Sequence, residues 1–394
     1  MSLVISPSTS LPNMPEPASI YFIAGEVSGD THGAELIHAL LSQQPELQVH
    51  GTGGPMMQQA SNGTVHDWVE DAAVMGIWEV LKQYSWFKQQ FDQMLETIIE
   101  IKPSALVLID YPGFNLRMAK AVRQALPNTK IIYYISPQVW AWNKKRIPVM
   151  AEVLDLMLCI FPFEKPIFEK AGLKTEFVGH PLVDELEEKR IEIERDPTLV
   201  GLFPGSRERE VSRLFPVMLE SARRLKIEHP ELRFKAPAAS AKLSTLMQQC
   251  IEQSDLPQGL IEISEGDSHS LMQHAGCGVI ASGTATLEAA YFGLPYCLIY
   301  KIAWPSFMLG KLLVKIDFIG LVNILAGKQV VQEFIQSDAD PTHIQSSLAS
   351  FIESPEKVQA LQLKLAETSQ LLGERGCHNR AAKHILQEIG STTA

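Results

Sequence analysis

Short runs of apolar and β-branched residues recur at 20–24, 105–109, 131–135, 156–161, 199–203, 233–236, 278–281 and 296–300, and the segments between them carry apolar positions at helical spacing. This alternation predicts βαβ units and parallel sheets. The charged stretch 184–196 (DELEEKRIEIERD), closed by Pro197, separates two blocks of similar make-up. The pattern therefore predicts an α/β protein of two doubly wound domains, with ligands expected just beyond the carboxyl ends of the strands and in the cleft between the domains.

Two segments depart from this rhythm. Residues 1–18, rich in Pro and Ser and free of Lys and Arg, lack both the basic and the long apolar region of a signal peptide and read as a disordered extension. Residues 72–95 carry Val74, Met75, Ile77, Trp78, Val80, Leu81, Tyr84, Trp86, Phe87, Phe91, Met94 and Leu95, wider than one core-facing stripe. That breadth predicts contact with a membrane surface or with acyl chains through Met75, Ile77, Trp78, Leu81 and Trp86; core packing is the competing account. The run nearest to a membrane span, 302–327, is broken by Pro305, Lys311, Lys315 and Asp317.

Composition narrows the function classes. A chain of 394 residues suits two domains, and its 46% hydrophobic and 20% charged content is globular. The formal charge of −11 argues against a general nucleic-acid binder. Five scattered cysteines show no metal-ligand spacing and suit a reducing compartment.

The polar motifs cluster after strands. Gly25, Glu26, Ser28, Gly29, Asp30 and His32 follow the first strand in a glycine-punctuated loop that could shape a sugar or acceptor pocket, or simply turn the chain and cap a helix. Asp110 ends the strand 105–109, where burial would suit it to take a proton from a hydroxyl; capping of the next helix is the alternative. Trp140 and Trp142, followed by Lys144, Lys145 and Arg146, could stack on a sugar or line an acyl groove. Midway along the chain, 199–207 ends in Pro204, Gly205, Ser206 and Arg207, a turn that offers backbone N–H groups and a guanidinium to phosphate or is an ordinary βα connection. Ser282, Gly283 and Thr284 would let a diphosphate approach the backbone, with Glu288 one turn on to accept from ribose hydroxyls. Asp338 and Asp340 match a metal-binding D-x-D spacing but precede Pro341 and read as a turn, and Asp267-Ser268-His269 lacks the elbow of a hydrolase.

The segments AGEVSGDTHGAELI, MGIWEVL, IDYPGFNLRMAK, YYISPQVWAWNKKRI, FPFEKPIFEKAGLKTEFVGHPLVDE, LFPGSREREVSRLFP, ASGTATLEAAYFGLPYCLIYK and FIGLVNILAGKQVVQEFIQ, in this order over about residues 20–390, resemble the lipid-A-disaccharide synthase family, glycosyltransferase family 19. The resemblance implies a GT-B fold, two facing Rossmann-like domains with parallel sheets and a central cleft. Residues 19–190 would bind the acceptor and 196–372 the UDP-sugar, with a helix at about 376–394 packing back on the former. The implied reaction is inverting transfer from UDP-2,3-diacylglucosamine to 2,3-diacylglucosamine 1-phosphate (lipid X), giving a β-1′,6 disaccharide and UDP. Asp110 would then be the base and Arg207 the partner of the leaving UDP; Gly205, Ser206, Ser282, Gly283 and Thr284 would hold phosphates, Glu288 the ribose, and Asn323 a place near the nucleotide. Ser136, Pro137 and Trp140 join the substrate-binding set on the same basis. No cofactor or metal is implied. The location implied is cytoplasmic, on the inner-membrane surface, with room for a homodimer. Gly113 stands where other members can carry a second acid, which removes the nearest competing carboxylate and favours Asp110; Glu26 is the alternative base. A UDP-sugar 2-epimerase of the same fold and a non-enzymatic nucleotide-binding protein at the membrane are the rival functions.

Overall fold

The computed structural model describes residues 18–69, 84–254, 256–257, 259–304, 307 and 317–390. Met75, Ile77, Trp78 and Leu81, like residues 1–17, lie outside the described residues. The chain forms two compact units, one from the residues up to Pro137, Met150–Leu158 and the segment from His378, the other from Gln138–Val149 and Cys159–Cys377.

Among the described residues the first sheet has seven strands in the order β3-β2-β1-β4-β5-β6-β7. They are β1 (Ser19–Ala24), β2 (Gln48–Gly53), β3 (Val65–Asp67), β4 (Ala105–Ile109), β5 (Lys130–Tyr134), β6 (Leu156–Cys159) and β7 (Thr175–Phe177). β1, β4 and β5 are almost wholly buried, as expected of strands with helices on both faces. β1 pairs in parallel with both β2 and β4, so the strand order reverses between β1 and β4. The helix Cys377–Gly390 buries Ala381, Ala382, Ile385 and Ile389, and within the first unit Glu388 pairs with Lys130 at 3.1 Å while Gln43 donates to the Asn379 carbonyl.

The second sheet has six strands in the order β10-β9-β8-β11-β12-β13. These are β8 (Asp196–Phe203), β9 (Arg233–Ala238), β10 (Ile261–Glu265), β11 (Ala275–Ala281), β12 (Tyr296–Tyr300) and β13 (Glu333–Ile335). Its core combines Val200, Leu202, Val279 and Ile299 with Leu214, Phe215 and Met218 from the amphipathic helix Glu208–Glu228. Here the order reverses between β8 and β11. Cys159, Cys277, Cys297 and Cys377 are buried, and burial pushes the thiols of Cys277 and Cys297 up to about 12, so both stay protonated.

Candidate active site

In the first unit, Gly25 and Asp110 follow the paired strand ends Ala24 and Ile109. A Cβ on Gly25 would fall 2.6 Å from the Tyr111 ring, so glycine is what allows the loop to pass beneath that ring. Asp110 and Tyr111 both have left-handed backbones, with φ of +47° and +48°. Two successive L-residues there are strained, and the strain is held by side chains. The buried Asn115 donates from Nδ2 to the carbonyls of Ile109 (3.1 Å) and Asp110 (2.7 Å), and the Tyr133 hydroxyl donates to the same Asp110 carbonyl. Tyr111, not Asp110, holds the N-cap position of the helix Pro112–Ala125, which leaves the Asp110 carboxylate free of capping. Burial lifts the Asp110 pKa above its ordinary value, against the pull of the Tyr111 backbone amide. Glu26, at the surface as N-cap of the helix Val27–Gln43, is also raised, first by partial loss of water and then by the charge of Asp110.

Beside this turn lies a cavity of about 500 Å³ lined by Phe87, Phe91, Tyr111, Phe114, Lys88 and Arg117. Trp68 backs it, 5.2 Å from the Phe114 ring and stacked on half-buried Trp86 at 6.0 Å between centroids. The lining is largely aromatic, with two cations and the carboxylate of Asp92.

In the second unit a cavity of about 500 Å³ opens where the strand order reverses. After β8 it is lined by Gly205, Ser206, Arg207 and Glu210, and after β11 by Ser282, Gly283, Thr284 and Glu288. Gly205 has φ +103°, and a Cβ on it would meet Glu210 Oε2 at 2.4 Å. Arg207 is the N-cap residue of the helix Glu208–Glu228; its side chain is 82% exposed and touches Glu210 Oε1 at 3.3 Å. An exposed guanidinium beside a helix N-terminus, against an open cavity, suits an anion. Pro237, Ala238, Ala239 and Gly266 also line the cavity.

The second cavity lies at the topological switch point of its parallel sheet and the first beside the turn after β4, and over residues 20–389 the chain matches the family model described as lipid-A-disaccharide synthetase. The chain belongs to that family. It is 38% identical to the lipid-A-disaccharide synthase of Geobacter sulfurreducens over 379 residues, 94% of this chain and 97% of that one. With lipid-A-disaccharide synthase 1 of Legionella pneumophila (Philadelphia 1) it shares 34% over 367 residues, 91% and 94% of the two chains. Among solved structures it is similar to a putative UDP-N-acetylglucosamine 2-epimerase from Listeria monocytogenes, with TM-score 0.61, 13% identity and coverage of 95% and 96%. The Acinetobacter baumannii MurG structure gives TM-score 0.59 at 13% identity, covering 94% and 100%. At such identities these likenesses show the GT-B fold alone. Family membership makes the chain a glycosyltransferase.

Three side chains expected to bind ligand have structural partners. Asp30 is 3% exposed, and its carboxylate accepts from the backbone N–H of Gly54 (2.8 Å), Met57 (2.9 Å) and Met56 (3.0 Å), tying down the helix Pro55–Ala60. Asn323 is fully buried; it accepts from the amides of Val330 and Val331 and donates to the Val331 carbonyl and to Glu333, so it holds the approach to β13. Trp140 is buried too, donating to Glu164 at 2.9 Å, whereas Trp142 is exposed with the Arg146 guanidinium over its ring at 5.1 Å. All three side chains are hydrogen-bonded to protein partners. Ser136 is buried behind Ile135, itself at φ +64°, while Pro137 is buried and Ser28 exposed. Three residues that the sequence did not single out, Asn115, Tyr133 and Glu210, contact the two motif turns directly. Asp340 caps the helix Pro341–Ile352 through the amides of Thr342 and His343, as its turn-like sequence suggests.

Proposed function

We propose that the chain joins UDP-2,3-diacylglucosamine to 2,3-diacylglucosamine 1-phosphate through a β-1′,6 linkage, with inversion and release of UDP. The observation that carries this reading is the strained, part-buried Asp110 at the switch point of the first sheet, beside an aromatic cavity suited to acyl chains. The ionised Asp110 takes the proton of the acceptor 6-hydroxyl as its oxygen attacks the sugar C1 opposite the diphosphate. A base whose pKa is raised toward working pH accepts that proton more strongly, a contribution of about 10²–10⁴ in rate. As the C1–oxygen bond breaks, negative charge builds on UDP. Arg207 and the first amides of the helix Glu208–Glu228 face that charge, with Ser282, Gly283 and Thr284 around the phosphates and Glu288 at the ribose. Gly205 and Ser206 turn the chain there, and the small residues Pro237 to Ala239 also line the cavity. The positive charge this step needs comes from the protein, so the reading calls for no metal.

The cavity of Phe87, Phe91, Tyr111 and Phe114 takes acyl carbons, each buried CH₂ contributing about 0.8 kcal/mol, and Lys88 and Arg117 suit the acceptor phosphate at its rim. Acylated substrates of this kind reside in a bilayer, which favours work at the inner-membrane surface. No helix among the described residues is long and apolar enough to cross a membrane.

The test is to incubate the protein with both acylated sugars and follow UDP and disaccharide. Formation of both, lost in Asp110→Ala and Arg207→Ala variants that still fold, supports the reading. Conversion of the UDP-sugar without acceptor would indicate an epimerase, and UDP binding without turnover a nucleotide sensor; either overturns it.

A further inference from the structure

His269, which no role above requires, faces Glu288 across the second cavity, its Nε2 3.0 Å from Glu288 Oε2, and both side chains line that cavity. A carboxylate only accepts, so the bond is an Nε2–H donated by the imidazole. The backbone beneath Glu288 is already fixed: Tyr296 donates to the Thr286 carbonyl and Thr286 Oγ1 to the Gly283 carbonyl, both at 2.8 Å. What stays loose at Glu288 is its long side chain, and His269 is the partner that anchors it.

His269 is itself well placed for that task. It sits on the helix Ser268–His274, whose N-cap residue Asp267 is held by Lys235 at 2.8 Å. Its ring lies 5.9 Å from that of Phe292, and Gln273 donates to its carbonyl. Because these contacts fix the helix without it, the His269–Glu288 bond is not needed to hold the fold.

We propose that His269 is a positioning residue of the nucleotide site, holding Glu288 by one oxygen so that the other receives the hydroxyls of a ribose. This rests on the UDP-sugar reading of the same cavity. A carboxylate with one oxygen anchored presents the second in a fixed direction and loses less freedom when a diol binds.

Calorimetric titration of the full chain tests this with UDP and with 2′,3′-dideoxy-UDP. His269→Ala is expected to weaken UDP binding about five- to tenfold and to leave the dideoxy compound unchanged, with His269→Gln, which can still donate, recovering most of the loss. In turnover the same change should raise KM for the UDP-sugar more than it lowers kcat. Unaltered UDP affinity in His269→Ala overturns the proposal. So does an equal loss on both nucleotides, which would mark a phosphate or purely structural role. If the unaltered chain fails to bind UDP, the nucleotide reading falls and the proposal with it, an outcome distinct from the other two. The His269→Gln variant keeps the test valid should His269→Ala fail to fold.

Discussion

Glu26 and Asp110 follow the ends of adjacent parallel strands, and the charge of Asp110 helps to lift the pKa of Glu26. Burial lifts Asp110 as well, so the folded chain binds these protons more tightly than the unfolded one. The stability that Asp110 contributes is therefore complete at low pH and is lost as pH rises from the ordinary value of 3.8 through the raised one. Asp110→Asn should consequently raise the melting temperature at pH 7 by about 1–3 °C, a gain that vanishes below about pH 4. It should also cost about 10²–10⁴ in kcat. Melting curves across pH, set beside turnover, check both; a variant less stable at pH 7 would contradict the sign.

Removing Asn115 frees the strained turn. Asn115→Ala leaves the Ile109 carbonyl without its side-chain donor and should destabilise by about 1–3 kcal/mol in urea unfolding, with kcat down at least about tenfold as Asp110 drifts. Tyr133→Phe removes one bond to the same carbonyl, and a smaller loss in both measurements is expected.

Asp30 separates folding from binding. Asp30→Ala strands the buried N–H groups of Gly54 and Met57 and removes the partner of the Met56 N–H, for a cost of roughly 2 kcal/mol or more, while UDP affinity measured on the folded fraction should stay at its original value. A selective loss of substrate binding at full stability would instead make Asp30 a binding residue.

Gly205→Ala tests the phosphate turn. Its φ of +103° and the 2.4 Å clash with Glu210 Oε2 force Glu210, and through it Arg207, to move. UDP binding should weaken about tenfold or more, with titration of the nucleotide as the readout.

Much of this was legible in the chain. The long apolar strands β1, β4, β5, β8, β11 and β12 stand out because both their faces are buried, and the motif loops follow from them. β2 did not stand out: its sequence QVHGTG has the wrong propensity, yet a Cβ on Gly51 would meet the Phe22 carbonyl oxygen at 2.3 Å, so packing demands what propensity disfavours. The three-residue strands β3, β7 and β13 carry too few positions for any pattern. At the candidate sites, residue type and spacing picked out Arg207 and Glu288, which line the second cavity, and Asp110, which follows a buried strand end. The same criteria picked out Asp30, Asn323 and Trp140, whose protein hydrogen bonds were not legible because they depend on burial and on partners distant in the chain.

The helix Cys377–Gly390 belongs with the unit whose first strand is Ser19–Ala24. During synthesis the ribosome must therefore make the whole second unit before the first can receive Ile385 and Ile389 into its core. The nascent first unit spends that interval with apolar surface uncovered, so co-translational maturation of this chain ends at the domain that began it.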